Sequence, residues 1–122
     1  MKKILIVDDK PEVRALISVT LDMGEFTLYE TSSGSQALEV ANDKHPDLII
    51  LDVMMPGGLD GYQTCEKLKS DEKTKDIIVI LLTARGQETD KQRGGAAGAD
   101  DYFIKPFSPR ELLDKVYAVL KI

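Results

Sequence analysis

The sequence predicts an α/β domain built on a parallel sheet. Short, continuous apolar runs alternate with longer amphipathic stretches, and the clearest of these runs are rich in β-branched residues. The alternation repeats as five β–α units. Continuous apolar runs fit strands covered on both faces. Regular alternation implies parallel strands joined by right-handed crossovers.

The first run, Ile4–Leu5–Ile6–Val7, ends in Asp8 and Asp9. Val13, Leu16, Ile17, Thr20 and Leu21 then fall at i, i+3, i+4, i+7 and i+8, one face of a helix. Phe26–Thr31 is a weaker strand candidate, followed by a helix around Gln36–Asn42. Leu48–Ile49–Ile50–Leu51 is the third strand, closed by Asp52, and Gly61–Leu68 is the third helix. The fourth strand, Ile77–Leu82, ends in Thr83. The fourth helix, around Thr89–Ala97, carries Gly94 and Gly95, each costing about 1 kcal/mol relative to Ala, and is expected to be loosely held. Tyr102–Ile104 is a weak fifth strand leading into Lys105–Pro106. The last helix has an explicit start signal: Ser108 caps, Pro109 takes the first helical position and Glu111 completes a capping box. Leu112, Leu113, Val116 and Leu120 supply its apolar face.

Bulk properties narrow the function. A length of 122 residues fits one domain, residues 1–122, with a real core. Hydrophobic residues at 43% and charged residues at 30% mark a globular chain. A net charge of −5 disfavours direct nucleic-acid binding, which needs clustered Lys and Arg. No apolar run approaches the ~20 residues of a membrane span, so no membrane partner is expected. Lys2 and Lys3 precede an apolar stretch that stops at Val7, too short for a signal peptide. The single cysteine, Cys65, excludes an internal disulfide and suits the reducing cytoplasm.

In an open parallel sheet, ligands bind beyond the carboxyl ends of the strands. Asp8, Asp9, Asp52, Thr83 and Lys105 all stand there. Carboxylates brought to ~4 Å would repel by about 4 kcal/mol per pair at an effective dielectric near 20, so they need a cation. Oxygen ligands with no histidine or thiol nearby suit Mg²⁺. A carboxylate, one metal, one lysine and one hydroxyl meet the needs of phosphoryl transfer, which are positioning and neutralisation of the equatorial oxygens. Asp52, closing the central strand, is the best nucleophile candidate; Asp8 and Asp9 look like metal ligands. Taken singly, each has a plainer reading. Asp9–Lys10–Pro11–Glu12 has capping-box spacing, and capping by Asp9 can coexist with metal binding. His45, before a strand, is structural, and Cys65 packs beside Leu68.

Four segments together resemble the receiver domain of two-component response regulators, of the chemotaxis-regulator type. They are Ile4–Asp9, Leu51–Asp52–Val53–Met54–Met55–Pro56, Leu82–Thr83–Ala84 and Gly98–Phe107. The resemblance covers essentially the whole chain. It implies a flavodoxin-like (βα)5 doubly wound fold with strand order 2-1-3-4-5. It implies that Asp52 accepts phosphate from a phosphohistidine on a sensor histidine kinase or a histidine phosphotransfer domain. Asp9, Asp52 and the Met54 backbone carbonyl would contact Mg²⁺, with Asp8 acting partly through water. Lys105 would bind the phosphate, and Thr83 and Tyr102 would form a switch pair. Lys105–Pro106 would be cis. The face made by the fourth helix, fifth strand and fifth helix would signal to an effector protein or output domain. Such a chain is a signalling phosphoacceptor, not an enzyme, that promotes its own phosphorylation and dephosphorylation.

The chain departs from the family pattern at Pro56–Gly57–Gly58–Leu59–Asp60–Gly61, with one extra glycine beside the metal site, and at Gly95. A phosphohydrolase of the haloacid dehalogenase type would need an Asp two positions after Asp52 as acid–base, where this chain has Met54. A flavin carrier would need a hydroxyl- and glycine-rich loop where Asp8–Asp9–Lys10–Pro11 stands. A receiver-like binding module that is never phosphorylated would not need the intact acidic set.

Overall fold

The alternating pattern resolves into β1 (Lys2–Val7), α1 (Pro11–Leu21), β2 (Phe26–Thr31), α2 (Gly34–Lys44), β3 (Leu48–Asp52), α3 (Gly61–Ser70), β4 (Ile78–Ala84), β5 (Asp101–Lys105) and α4 (Pro109–Leu120). This computed structural model describes residues 1–84 and 97–122. The predicted helix around Thr89–Ala97 lies outside the described residues, apart from buried Ala97.

The five strands form one parallel sheet in the order β2-β1-β3-β4-β5. This is the expected flavodoxin-like doubly wound order, with the first crossover running opposite to the rest. Ile4–Val7 and Leu48–Leu51 are all 0% exposed, which is why they read as unbroken apolar runs. Alternate residues serve opposite layers. Leu5, Val7, Ile49, Leu51 and Leu81 meet Ala37 and Ala41 of α2 and Tyr62, Cys65 and Leu68 of α3. Ile4, Ile6, Leu48, Ile50 and Leu82 meet Ile17 and Leu21 of α1 and Leu112 and Val116 of α4. Each fully buried aliphatic side chain contributes roughly 1.5–3 kcal/mol. β5 is an edge strand, half-buried throughout, which explains its weak sequence signal.

Two local expectations change. Leu16 is 48% exposed, while Ile17 and Leu21 carry the burial of α1; the buried stripe is narrower than the periodicity suggests, and Leu16 falls at its margin. The residue capping α1 is Lys10, with Pro11 at the first helical position and no side-chain cap. Proline settles the start of the helix there, so Asp9 lies one residue outside the cap and is left to the cleft. The Ser108–Glu111 capping box of α4 forms as expected.

Candidate functional site

Parallel register brings the strand ends to one edge. Val7 pairs with Leu51, Asp52 with Leu82, and Ala84 with Lys105. Asp8 is fully buried, and its backbone N–H donates to the Thr31 carbonyl at 3.2 Å. Asp8 Oδ1 accepts from the Lys10 backbone N–H at 2.9 Å, and Arg14 Nη1 donates to the Asp8 carbonyl. Asp52 is 2% exposed. Lys105 Nζ donates to Asp52 Oδ1 at 3.1 Å and to Asp8 Oδ2 at 3.3 Å, bridging residues 53 and 97 positions away. The Met54 backbone N–H reaches Asp52 Oδ1 at 3.4 Å. As the family resemblance implied, Lys105–Pro106 is cis.

One oxygen from each of Asp8, Asp9 and Asp52 falls within 4.8 Å of the others. Asp9 Oδ1 and Asp52 Oδ2 are buried and accept no hydrogen bond. Lys10 Nζ lies 3.9 Å from Asp9 Oδ1, too far for a hydrogen bond. Three carboxylates face one hydrogen-bonded, half-buried ammonium, so the site is short of positive charge. The consequence shows in the protonation equilibria. Burial pushes the Asp52 carboxyl up, Asp8 adds to that, and Lys105 only partly opposes it. Burial alone would lower Lys105, but the charges and hydrogen bonds of Asp52 and Asp8 outweigh it and hold the ammonium above its ordinary range. An oxygen-only donor set with orphaned buried oxygens fits a hard divalent ion.

The other predicted residues take their places around this centre. Met54 is 56% exposed and borders a cavity of about 490 Å³ shared with Asp9, Lys10, Pro56 and Tyr62. Thr83 is 6% exposed and pairs with Ile104, while Tyr102 pairs with Leu81. Leu81 and Thr83 are two apart on one strand, so Thr83 and Tyr102 share a face. Tyr102 packs half-buried against the α2–α3 layer.

The extra glycine leaves the seat of α3 intact. A Cβ on Gly58 would meet nothing within 4 Å. Gly61 N–H donates to the Val53 carbonyl at 3.0 Å. A Cβ on Gly61 would fall 2.7 Å from the Val53 Cα and closer still to the Asp52 carbonyl oxygen. Asp60 caps α3 through a reciprocal box with Gln63. Three contributors thus escaped the sequence reading: Arg14, Asp60 and Gly61. The Asp60-x-x-Gln63 spacing was a readable signal; Gly61's close approach and Arg14's reach to the Asp8 carbonyl were not. Cys65 is buried packing, and burial pushes its thiol to about 11, so it is unreactive. His45, read as structural, meets Asp76 Oδ1 at 3.1 Å, at the opposite edge of the sheet.

A doubly wound sheet with an acid–lysine pocket beyond its carboxyl ends defines a signalling receiver domain of a two-component system. The chain belongs to the response regulator receiver domain family, whose model matches residues 4–117. It is 48% identical over 120 residues to the phosphate regulon transcriptional regulatory protein PhoB of Pseudomonas aeruginosa, covering 98% of this chain and 52% of PhoB. The chain spans about half the length of the curated relatives it matches. The chemotaxis response regulator CheY4 of Vibrio cholerae superposes with a TM-score of 0.90 at 32% identity, over 98% of each chain. The receiver domain of the sensor histidine kinase PA1611 of P. aeruginosa, which has magnesium coordinated in its active-site cleft, matches with a TM-score of 0.89 at 28% identity, over 99% of this chain and 98% of that one. Receiver domains are signalling phosphoacceptors that bind Mg²⁺ at an acidic site and pair with histidine kinases and output domains. Among the described residues, no helix is long and apolar enough to cross a membrane.

Proposed function

We propose that residues 1–122 form one receiver domain in which Asp52 accepts a phosphoryl group from a phosphohistidine on a sensor kinase or phosphotransfer domain. The observation that carries this reading is the juxtaposition of Asp8, Asp9 and Asp52, one oxygen from each within 4.8 Å of the others, in a trio that also holds two orphaned buried oxygens, with Lys105 spanning Asp8 and Asp52. An Asp52 carboxylate oxygen attacks phosphorus, the P–N bond breaks, and its electron pair returns to the imidazole. Asp8, Asp9, Asp52 and the Met54 carbonyl hold Mg²⁺, which when bound supplies positive charge against the phosphoryl oxygens. Lys105 is already at Asp52 and transfers its contact to the phosphoryl group. Thr83 donates its hydroxyl to another phosphoryl oxygen, and Tyr102, on the same face, responds to that movement. The domain thereby promotes its own phosphorylation, and water attack on the acyl phosphate resets it.

The phosphorylated form adds about one negative charge at Asp52, enough to bias a nearby element. The responding surface is the one around the fourth predicted helix, β5 and α4, and its partner is an effector protein or output domain. A net charge of −5 argues that this domain itself does not touch nucleic acid. A cytoplasmic location goes with a phosphohistidine donor and a lone cysteine.

Incubation with acetyl phosphate and Mg²⁺, followed by intact mass, tests the reading. One added phosphoryl group is expected, absent with EDTA and in Asp52→Asn. Phosphate retained in Asp52→Asn would overturn the assignment.

A further inference from the structure

The geometry points to Lys10 as a tethered cation that competes with the divalent ion for Asp9. This rests on the reading of Asp8, Asp9 and Asp52 as a metal site. Lys105 is committed: its side chain is 23% exposed and hydrogen-bonds both Asp8 and Asp52. Asp9 has no such partner, and its buried Oδ1 accepts no hydrogen bond. Among the described residues, the nearest ammonium is Lys10 Nζ at 3.9 Å, on a side chain 52% exposed to solvent.

The backbone makes this proximity more than chance. Lys10 caps α1, and its N–H is held by Asp8 Oδ1 at 2.9 Å. Its side chain therefore leaves the chain from a fixed point beside the trio and borders the same cavity as Asp9 and Met54. Half-exposed and free of a hydrogen bond to Asp9, it has room to swing away. A divalent ion entering against Asp9 must displace the ammonium or tolerate its repulsion. Lys10 thus lowers Mg²⁺ affinity and prevents the metal-free pocket from carrying its full negative charge.

Mg²⁺ binding followed by isothermal titration calorimetry, with no phosphodonor present, tests this. Lys10→Gln should bind Mg²⁺ about two- to fivefold more tightly than wild type in about 0.02 M salt, the scale of an exposed ion pair. Lys10→Arg keeps the charge and should bind like wild type. The difference should shrink in about 0.5 M salt, where exposed charges are screened. Lys2→Gln, which removes a positive charge from the start of β1 at the far edge of the sheet, should change nothing. Equal affinity in Lys10→Gln and wild type would overturn the role of Lys10 and leave the metal site standing. Equal tightening in Lys2→Gln would also overturn it, by showing an effect of net charge alone. If none of the proteins takes up Mg²⁺, the metal-site reading falls and this inference falls with it. Cap function at Lys10 uses only the backbone, so all variants should still unfold in one cooperative thermal transition in EDTA, with that of Lys10→Gln lowered only slightly, as the loss of an exposed ion pair requires.

Discussion

The two edges of the sheet use the same charged residue types in opposite ways. At the amino edge the charges that join α3, β3, β4 and β5 are matched. Lys69 Nζ donates to the Ile77 carbonyl at 2.6 Å, to Asp100 Oδ2 at 2.8 Å and to the Lys75 carbonyl at 3.3 Å. Asp100 Oδ2 also accepts from the Val79 N–H at 2.8 Å, while the Asp100 N–H donates to the Val79 carbonyl at 2.9 Å. Asp47 and Lys3 exchange hydrogen bonds at 2.8 Å in both directions. At the carboxyl edge, Lys105 serves two carboxylates and two buried carboxylate oxygens go without. The difference teaches what each edge is for. A matched network ties α3 to β4 and sets where β5 begins, whereas a mismatched one is held in place by the surrounding core and left ready for a cation.

Breaking the matched edge should have the largest effect on stability. Lys69→Met strands the part-buried Ile77 carbonyl and removes the pair with Asp100, whose half-exposed carboxylate keeps the Val79 N–H, and should cost about 2.5 kcal/mol in urea denaturation. A loss under about 0.5 kcal/mol would mean that the amino edge is not clamped by this lysine. Gly61→Ala acts through the backbone under the carboxyl edge. It should cost about 2 kcal/mol by overpacking against Val53 and Asp52, and should weaken Mg²⁺ binding as the strand end shifts. Unchanged metal affinity would show that the strand end can yield without moving Asp52.

The smallest effect has the opposite sign. Asp52→Asn should stabilise the metal-free protein at neutral pH by about 1 kcal/mol, because it removes a buried charge from a crowd of like charges. The folded-state pKa of Asp52 lies above its ordinary 3.8, so ionisation costs the fold stability. That cost sets in as pH rises past 3.8 and is complete above the folded pKa, so the advantage of the variant should vanish in acid below 3.8. Lys105 runs the other way. Its pKa is raised above 10.5, so its stabilisation is full below 10.5 and fades as pH climbs through the folded value. Saturating Mg²⁺ should reverse the ranking. At about 100 times its dissociation constant it adds about 2.7 kcal/mol to wild type, and far less to Asp52→Asn. A variant less stable than wild type in EDTA would refute the idea that this edge is held under electrostatic tension.

Much of this contrast was legible in the chain itself. Ile4–Val7, Leu48–Leu51 and Ile77–Leu82 announce buried strands by composition, and the polar residues just past them announce the edge that binds. The Ser108 box announced the start of α4. Capping of α1 was ambiguous, because Asp9 has box spacing and only Pro11 at the first helical position decides for Lys10. Leu16 fitted the helical period, yet the neighbours that bury Ile17 and Leu21 do not reach it.

The sequence by itself determined the types of element, their order and the residues that end each strand, because those depend on local periodicity and turn chemistry. Only the tertiary structure decided that Lys105 meets Asp52 across 53 residues, that Gly61 lies against the Asp52 carbonyl, and that two particular carboxylate oxygens are left without partners. Such facts follow from the register of non-neighbouring strands and from packing between layers, and neither is written in any one segment.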